Sequence, residues 1–100
     1  MPLIQVKITT SLTSEQDTKI HTELTNFAAE VFHKPIEFVM VNIEDEADLW
    51  LAGKKLTHGA LLEISMVGEI QNAHCDAFTA KVCELLLKEV KIPGDKVYTT

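Results

Sequence analysis

The sequence predicts an α+β domain in which two β-α-β units form one four-stranded mixed sheet with both helices on one face. Two observations support this fold class. Alternating and helical hydrophobic patterns follow one another in the order strand, helix, strand, and this order occurs twice. The second occurrence follows the first by 58 positions without a gap, so that Leu3 falls on Leu61 and Pro35 on Pro93. We therefore expect residues 1–100 to form a single domain built on an internal repeat.

The first unit begins at residues 3–9, where apolar and polar residues alternate as in a strand that is buried on one side. Thr13 is followed three positions later by Gln16, which is the spacing of a capping box at a helix N-terminus. Apolar residues then recur at helical spacing over 14–33, and Pro35 ends the helix. Residues 38–43 are apolar and β-branched, which predicts the second strand.

The second unit repeats this order. Residues 61–67 predict a strand, Asn72 can cap a helix that ends before Pro93, and a last strand begins at 96. A helix that connects two strands of one sheet makes those strands parallel, with a right-handed crossover. The two units therefore predict two parallel strand pairs in one sheet.

The sheet face opposite the helices is expected to be apolar. Strand alternation assigns to it the following residues: Leu3, Val39, Val41, Leu61 and Val67. An apolar surface of this size is rarely left in water, so it predicts homo-oligomerisation.

The charge of the chain excludes several classes of partner. The net charge is −6, and all nine basic residues are Lys. Nucleic acid requires a basic surface, usually with Arg, so we expect no nucleic-acid partner. No apolar run approaches the roughly 20 residues that span a bilayer, and the N-terminus lacks a signal-peptide layout, so we expect a cytoplasmic protein without a membrane partner.

Metal and disulfide chemistry are not expected. Cys75 and Cys83 are eight positions apart on one predicted helix, which separates them by about 12 Å, too far for a disulfide. The four His show no metal-ligand spacing. The acidic residues 44–48 lack the glycine and ligand spacing of a calcium loop and are interpreted as a solvated turn. No metal or cofactor is therefore predicted.

Pro2 is the first candidate for chemistry. Removal of Met1 leaves Pro2 as a free secondary amine, and only the neutral form of an amine can take a proton. Burial against apolar side chains and a nearby Lys both disfavour the cation and lower the pKa of the amine. Taken alone, however, a proline at the start of a strand is more often structural.

Several motifs, in order along the whole chain, resemble the macrophage migration inhibitory factor family. They are Met1-Pro2 before a strand, Lys34-Pro35 after the first helix, Phe38-Val39-Met40-Val41, Ser65-Met66, Cys83-Glu84-Leu85-Leu86, and Ile92-Pro93-Gly94-Asp95-Lys96-Val97-Tyr98. The last of these is similar to the family's Pro-x-Asp-Arg-Val-Tyr. The resemblance implies a tautomerase-like fold that assembles as a homotrimer.

The resemblance also implies a site. Pro2 is then the catalytic base, and Lys34 holds the substrate carboxylate or the developing enolate oxygen. A backbone group at Met66 contacts the substrate. Phe38 and Leu3 line the apolar end of the pocket, and Tyr98 reaches in from a neighbouring subunit. The implied substrate is a small aryl pyruvate.

The chain departs from the family pattern at three places. Thr100 stands where the family has Asn, and the sequence ends where the family continues with a strand and an aromatic tail. We therefore expect a more open pocket, weaker activity and a replacement wall from Trp50 and Leu51. His58-Gly59-Ala60-Leu61 replaces a CxxC-like stretch, so thiol-redox activity is not expected.

The leading hypothesis is keto–enol tautomerisation of phenylpyruvate-like or dopachrome-like substrates. The alternative is a cytokine-like signalling protein, either intracellular or secreted without a signal peptide, that acts by surface recognition and retains vestigial catalysis. A protein receptor would be a partner only under this alternative. A third hypothesis, an oxalocrotonate-type tautomerase or dehalogenase, is disfavoured because those sites hold diacids with Arg, and this chain has none.

Overall fold

A computed structural model describes residues 2–66 and 72–99. Over these residues the chain forms two α-helices and six strands. In chain order they are β1 (Leu3–Ile8), α1 (Ser14–Phe32), β2 (Met40–Glu44), β3 (Trp50–Leu51), β4 (Lys54–Lys55), β5 (Ala60–Ser65), α2 (Asn72–Val90) and β6 (Val97–Thr99).

Four of the strands form the main sheet, in the order β2-β1-β5-β6. The pairs β1–β2 and β5–β6 are parallel, whereas β1 and β5 are antiparallel. The prediction of two parallel pairs in one mixed sheet is therefore confirmed.

The internal repeat is visible in the backbone. Adding 58 to the bounds of α1 gives the bounds of α2. Each helix is followed by a residue with positive φ, His33 at 53° and Lys91 at 56°. A proline and a single 3₁₀ turn come next in each half, Ile36–Phe38 after Pro35 and Gly94–Lys96 after Pro93. The two prolines therefore mark equivalent structures, as the sequence predicted.

The capping box of α1 is also confirmed. The Thr13 hydroxyl oxygen accepts from the Gln16 backbone N–H at 3.1 Å, and the Gln16 side-chain oxygen accepts from the Thr13 N–H at 3.0 Å. The Gln16 amide nitrogen also donates to the Glu89 carbonyl at 3.0 Å. One side chain thus caps α1 and joins it to the end of α2.

The core lies between the helices and one face of the sheet. Its completely buried side chains come from both layers, and the Phe32 and Phe78 rings meet across the helices with centroids 5.3 Å apart. Burial of each large apolar side chain contributes about 1.5–3 kcal/mol to folding. The core residues with no exposed area include Ile4, Ile8, Ile20, Leu24, Ala28, Leu62, Phe78, Val82, Leu86 and Ile92.

The opposite face of the sheet is mixed, and this corrects the prediction of an apolar face. Val41 pairs with Ile4. Val39 and Val41 both pack against the core, so both lie on the helix side of the sheet. The 3₁₀ turn at Ile36–Phe38 occupies the start of the predicted strand, and strand pairing begins with Met40 opposite Leu3. This register sets which side chains face the helices. Val67 lies outside the described residues.

The register defines the composition of that second face. It combines four apolar or aromatic side chains with six polar or charged ones. They are Leu3, Met40, Leu61 and Tyr98, with Gln5, Lys7, Asn42, Glu44, Glu63 and Ser65. Over the described residues this face is therefore not uniformly apolar, and the composition from which oligomerisation was predicted is not found.

The small hairpin β3–β4 was not predicted. Trp50 pairs with Lys55 and Leu51 with Lys54 across a two-residue turn. The turn residues Ala52 and Gly53 both have positive φ, 54° and 76°, as two-residue hairpin turns of type I′ require. Alanine is uncommon in this conformation, so of the two turn residues only Gly53 is of a type that predicts such a turn.

Candidate active site

Pro2 is fixed at the start of β1. Its side chain is among the fully buried ones, with less than 2% of its area exposed. Its carbonyl oxygen accepts from the Met40 N–H at 3.0 Å, which extends the parallel β1–β2 pairing by one residue. Proline has no N–H to donate, so the first position of a strand suits it. The Pro2 ring is therefore buried at one end of the sheet.

Three other predicted site residues lie at this end. Leu3 follows Pro2 directly and pairs with Ser65, so Met66 is level with Pro2 across the β1–β5 ladder. Both Leu3 and Met66 are half-buried. Phe38 is 52% exposed. It lies two residues before Met40, whose N–H donates to the Pro2 carbonyl. The fold thus places these residues at the same end of the sheet as Pro2.

Lys34 lies in the connection from α1 to β2 and so belongs to the same end of the sheet. The left-handed conformation of His33 turns the chain, and the Lys34 N–H donates to the Ala29 carbonyl at 3.1 Å. The Lys34 side chain is half-buried. Among the described residues, no carboxylate lies within 4.0 Å of its ammonium group. In the described part of the chain, its positive charge is therefore not neutralised by a direct ion pair.

Tyr98 lies at the other end of the sheet. Tyr98 in β6 pairs with Leu61 in β5, and Leu61 pairs with Lys7 in β1. Tyr98 is therefore two strands away from Pro2 across the sheet and five residues away in the direction of the strands. Strand dimensions convert this offset into about 20 Å. The Tyr98 side chain is 65% exposed. One chain therefore does not bring Tyr98 and Pro2 together.

A groove of about 360 Å³ surrounds Tyr98. Trp50 and Leu51, named from the sequence as a replacement pocket wall, lie in it beside Tyr98. The Trp50 indole is 61% exposed and donates to the Asp48 carboxylate at 2.8 Å. Ala60 also lines the groove, and the 58-residue repeat makes Ala60 the counterpart of Pro2. The 58-residue repeat could thus have indicated from the sequence that a groove lies at the position equivalent to Pro2.

Two thiols lie on α2 outside this site. Cys75 and Cys83 are both free. Burial raises the pKa of each thiol, and the nearby Asp76 carboxylate raises the pKa of Cys75 further. Since the thiolate is the reactive form, both residues are disfavoured as nucleophiles.

Metal-binding clusters and membrane-spanning helices are absent from the residues that the structure describes. No group of three or more His, Cys, Asp or Glu side chains is positioned there to hold a metal ion. Neither of the described helices is long and apolar enough to cross a membrane.

Comparison with known proteins places this geometry in context. The family model for Macrophage migration inhibitory factor (MIF) matches residues 1–100. The macrophage migration inhibitory factor of Xenopus laevis is 24% identical over 98 residues, which cover 98% of this chain and 84% of that protein.

Solved structures share the fold. The crystal structure of Leishmania major MIF2 has a TM-score of 0.88 and 22% identity, covering 99% of this chain and 84% of that one. The crystal structure of Pt0534 inactivated by 2-oxo-3-pentynoate has a TM-score of 0.84 and 15% identity, covering 97% of this chain and 80% of that one.

Proposed function

Because the chain belongs to the macrophage migration inhibitory factor family, within the tautomerase superfamily, we propose that it catalyses keto–enol tautomerisation of phenylpyruvate-like or dopachrome-like substrates. The observation that carries the proposal is the placement of Pro2, which is buried at the end of β1 with Lys34 at the same end. The inactivation of the structural relative Pt0534 by a 2-oxo acid favours a substrate of similar chemistry.

The proposed reaction uses Pro2 as its single base, after Met1 has been removed. The neutral amine takes the hydroxyl proton of the enol and leaves an enolate, whose oxygen carries the negative charge. The oxygen electron pair then forms the C=O bond of the ketone while the electron pair of the C=C bond takes the proton from the Pro2 cation at the adjacent carbon. The amine returns to its starting state, and no other reactant is consumed.

Lys34 would stabilise the negative charge in this reaction. Its ammonium group can bind the substrate carboxylate or the oxygen that carries charge in the enolate. Leu3 and Phe38 supply apolar contacts for an aryl ring, and the backbone at Met66 offers a polar contact level with Pro2. Burial at this position disfavours the Pro2 cation, so we expect the pKa of the free amine to lie below its ordinary value.

We propose further that the active assembly is a homotrimer in which Tyr98 of one subunit completes the site at Pro2 of the next. Two exposed apolar surfaces support this arrangement. Ile36, Phe38 and Met40 are 47–62% exposed near Pro2, whereas Trp50 and Tyr98 are 61–65% exposed at the other end of the sheet. Contact between two different surfaces of identical chains is head-to-tail and can close into a ring.

The decisive experiment combines mass and kinetics. Intact-mass measurement first establishes that Met1 is absent, because acylation by Met1 would leave Pro2 an amide nitrogen without basicity. Phenylpyruvate enol–keto conversion is then followed for the natural chain and for Pro2→Gly. The rate should fall by at least about 100-fold, within the range for loss of a general base.

Pro93→Gly is the matched control. It makes the same substitution at a proline that the repeat aligns with Pro35 rather than with Pro2, and that is not among the residues proposed for catalysis. It should retain the natural rate per folded molecule, with folding checked by circular dichroism. Full activity in Pro2→Gly would place the base elsewhere and refute the proposal.

A further inference from the structure

A second concave surface lies at the end of the sheet far from Pro2. Its volume is about 620 Å³, and it is formed by the β3–β4 hairpin, the segment that follows it, and the turn after α2. We call this surface the basic cleft. Its cationic or titratable lining residues are Lys54, Lys55, His58, Lys91 and Lys96.

The charge of the cleft contrasts with that of the chain. Four of the nine Lys line it, although the chain has 15 acidic residues and a net charge of −6. None of the described residues that line it is Asp or Glu. Among the described ion pairs, only Lys96 of these four has a carboxylate within 4.0 Å, that of Asp95 at 3.9 Å. The ammonium groups are therefore concentrated and weakly compensated.

The backbone of the cleft is held by hydrogen bonds to the sheet. The Thr9 hydroxyl donates to the Thr57 carbonyl and accepts from the Gly59 N–H, both at 3.0 Å. The Thr9 N–H also donates to the Gly59 carbonyl at 3.1 Å. The Leu56 N–H donates to the Leu49 carbonyl at 2.9 Å, closing the segment that contains the hairpin. The lysines thus project from a fixed frame rather than from a free loop.

We propose that the basic cleft binds small organic anions that carry two or more phosphate or carboxylate groups. Four ammonium groups in one cavity provide more positive charge than a single carboxylate can neutralise. Lysine acts on such groups as a point charge with three donors. The apolar lining residues Leu51, Leu56 and Pro93 can contact the carbon skeleton of the same ligand.

The surrounding charge favours a compact ligand over a polymer. Outside the cleft the chain has five lysines and 15 acidic residues, so the rest of the chain is strongly acidic. A long polyanion would extend beyond the cleft over this acidic surface and be repelled. The cleft shares Leu51, Leu56 and Lys96 with the groove at Tyr98, but it includes neither Pro2 nor Lys34. Anion binding by its lysines can therefore be tested independently of tautomerisation.

The test is a binding measurement on the full chain in its native assembly. Pyrophosphate, citrate and acetate are titrated by calorimetry, and the affected amides are identified by NMR. Pyrophosphate or citrate should bind at least tenfold more tightly than acetate, and comparison of the two distinguishes phosphate from carboxylate ligands. The largest amide shifts should fall on residues 54–58, and affinity should fall as salt concentration rises.

Matched variants decide whether the cleft is responsible. The double variant Lys54→Gln/Lys55→Gln should weaken pyrophosphate or citrate binding at least tenfold. The control Lys81→Gln/Lys88→Gln removes the same charge from the helix surface and should change it less than twofold. Equal losses in both variants, amide shifts elsewhere, or no binding of either polyanion at millimolar concentration would overturn the proposal. Loss of assembly in the cleft variant without ligand would also overturn it, by making the cleft a subunit interface.

Discussion

Lys34 and Ile92 occupy equivalent positions in the two halves of the chain. Each follows the positive-φ residue that ends a helix, and each precedes a proline. Lys34 is half-buried beside the candidate site, whereas Ile92 has no exposed area and belongs to the core. The same backbone turn therefore presents a charge in one half and a packing residue in the other.

Alanine substitutions should separate these two roles. Lys34→Ala should raise KM for phenylpyruvate by about tenfold or more, the loss expected for one hydrogen bond to a charged group. It should change the free energy of unfolding by less than about 0.5 kcal/mol. Ile92→Ala should destabilise the fold by about 2–5 kcal/mol, because it leaves a cavity in the core. Urea unfolding and steady-state kinetics on both variants check this, and the opposite distribution of effects would contradict the assignment of Lys34.

The separation between Tyr98 and Pro2 predicts complementation between inactive subunits. Pro2→Gly and Tyr98→Ala should each be weakly active alone. When equal amounts are unfolded together and reassembled, about a quarter of the sites should pair an intact Pro2 with an intact Tyr98 if mixing is random. Activity should rise accordingly, and light scattering should give three chains per particle. A monomer, or no gain on mixing, would refute the shared site.

The pH dependence of catalysis should report the Pro2 amine. Only the neutral amine takes a proton, so kcat/KM should rise with pH through the amine pKa and then level off. Burial should place this midpoint below the range of about 7.7–8.0 that is usual for an α-amino group. Lys34→Ala should move the midpoint upward, because a nearby positive charge disfavours the Pro2 cation. A flat profile would exclude the amine as the base.

The ion pair between α1 and α2 should contribute stability near neutral pH that disappears at alkaline pH. Lys19 Nζ lies 2.7 Å from Glu89 Oε1. The hydrogen bond to Glu89, and then its charge, raise the pKa of Lys19 above 10.5. A raised folded-state pKa stabilises the fold below the unfolded value and loses that contribution as pH rises through the folded value. Lys19→Gln should therefore be less stable than the natural chain near pH 8, and the difference should vanish above the raised pKa. Lys54→Gln, whose side chain is exposed, should show no such convergence in chemical unfolding.

Two glycines should respond differently to alanine. At Gly59 a Cβ would lie 2.6 Å from Leu56 Cδ1 and 3.3 Å from the Lys96 carbonyl oxygen. Gly59→Ala should cost about 1–3 kcal/mol of stability, as overpacking does. At Gly94 no atom lies within 4 Å of an added Cβ, so Gly94→Ala should be neutral or slightly stabilising. Thermal unfolding of both variants measures the difference, and equal effects would contradict the packing at Gly59.

Local signals account for the parts of the fold that the sequence predicted. The Thr13–Gln16 box and the two prolines fix helix ends through interactions within a few residues, so the sequence patterns carried the information. The side of the sheet to which Val39 and Val41 belong depends instead on pairing with β1, whose paired residues are 37 positions away in sequence. The β3–β4 hairpin was missed because its strands are two residues long and Ala52 is an unusual turn residue.

The candidate site divides in the same way. Pro2 and Lys34 were identified from residue order, and the short connection from α1 to β2 places them at one end of the sheet. The opposite position of Tyr98 follows only from the strand order. The basic cleft escaped prediction because Lys54 and Lys91 are far apart in sequence, and the net charge of −6 indicated an acidic surface.

The antiparallel pairing of β1 with β5 also affects the chain during its synthesis. The first unit is complete once Glu44 has left the ribosome, but one edge of β1 has no partner until Ala60–Ser65 has also emerged. An unpaired strand edge is a template for association with other chains. Between the emergence of residue 44 and that of residue 65, β1 of a nascent molecule can therefore pair with another chain.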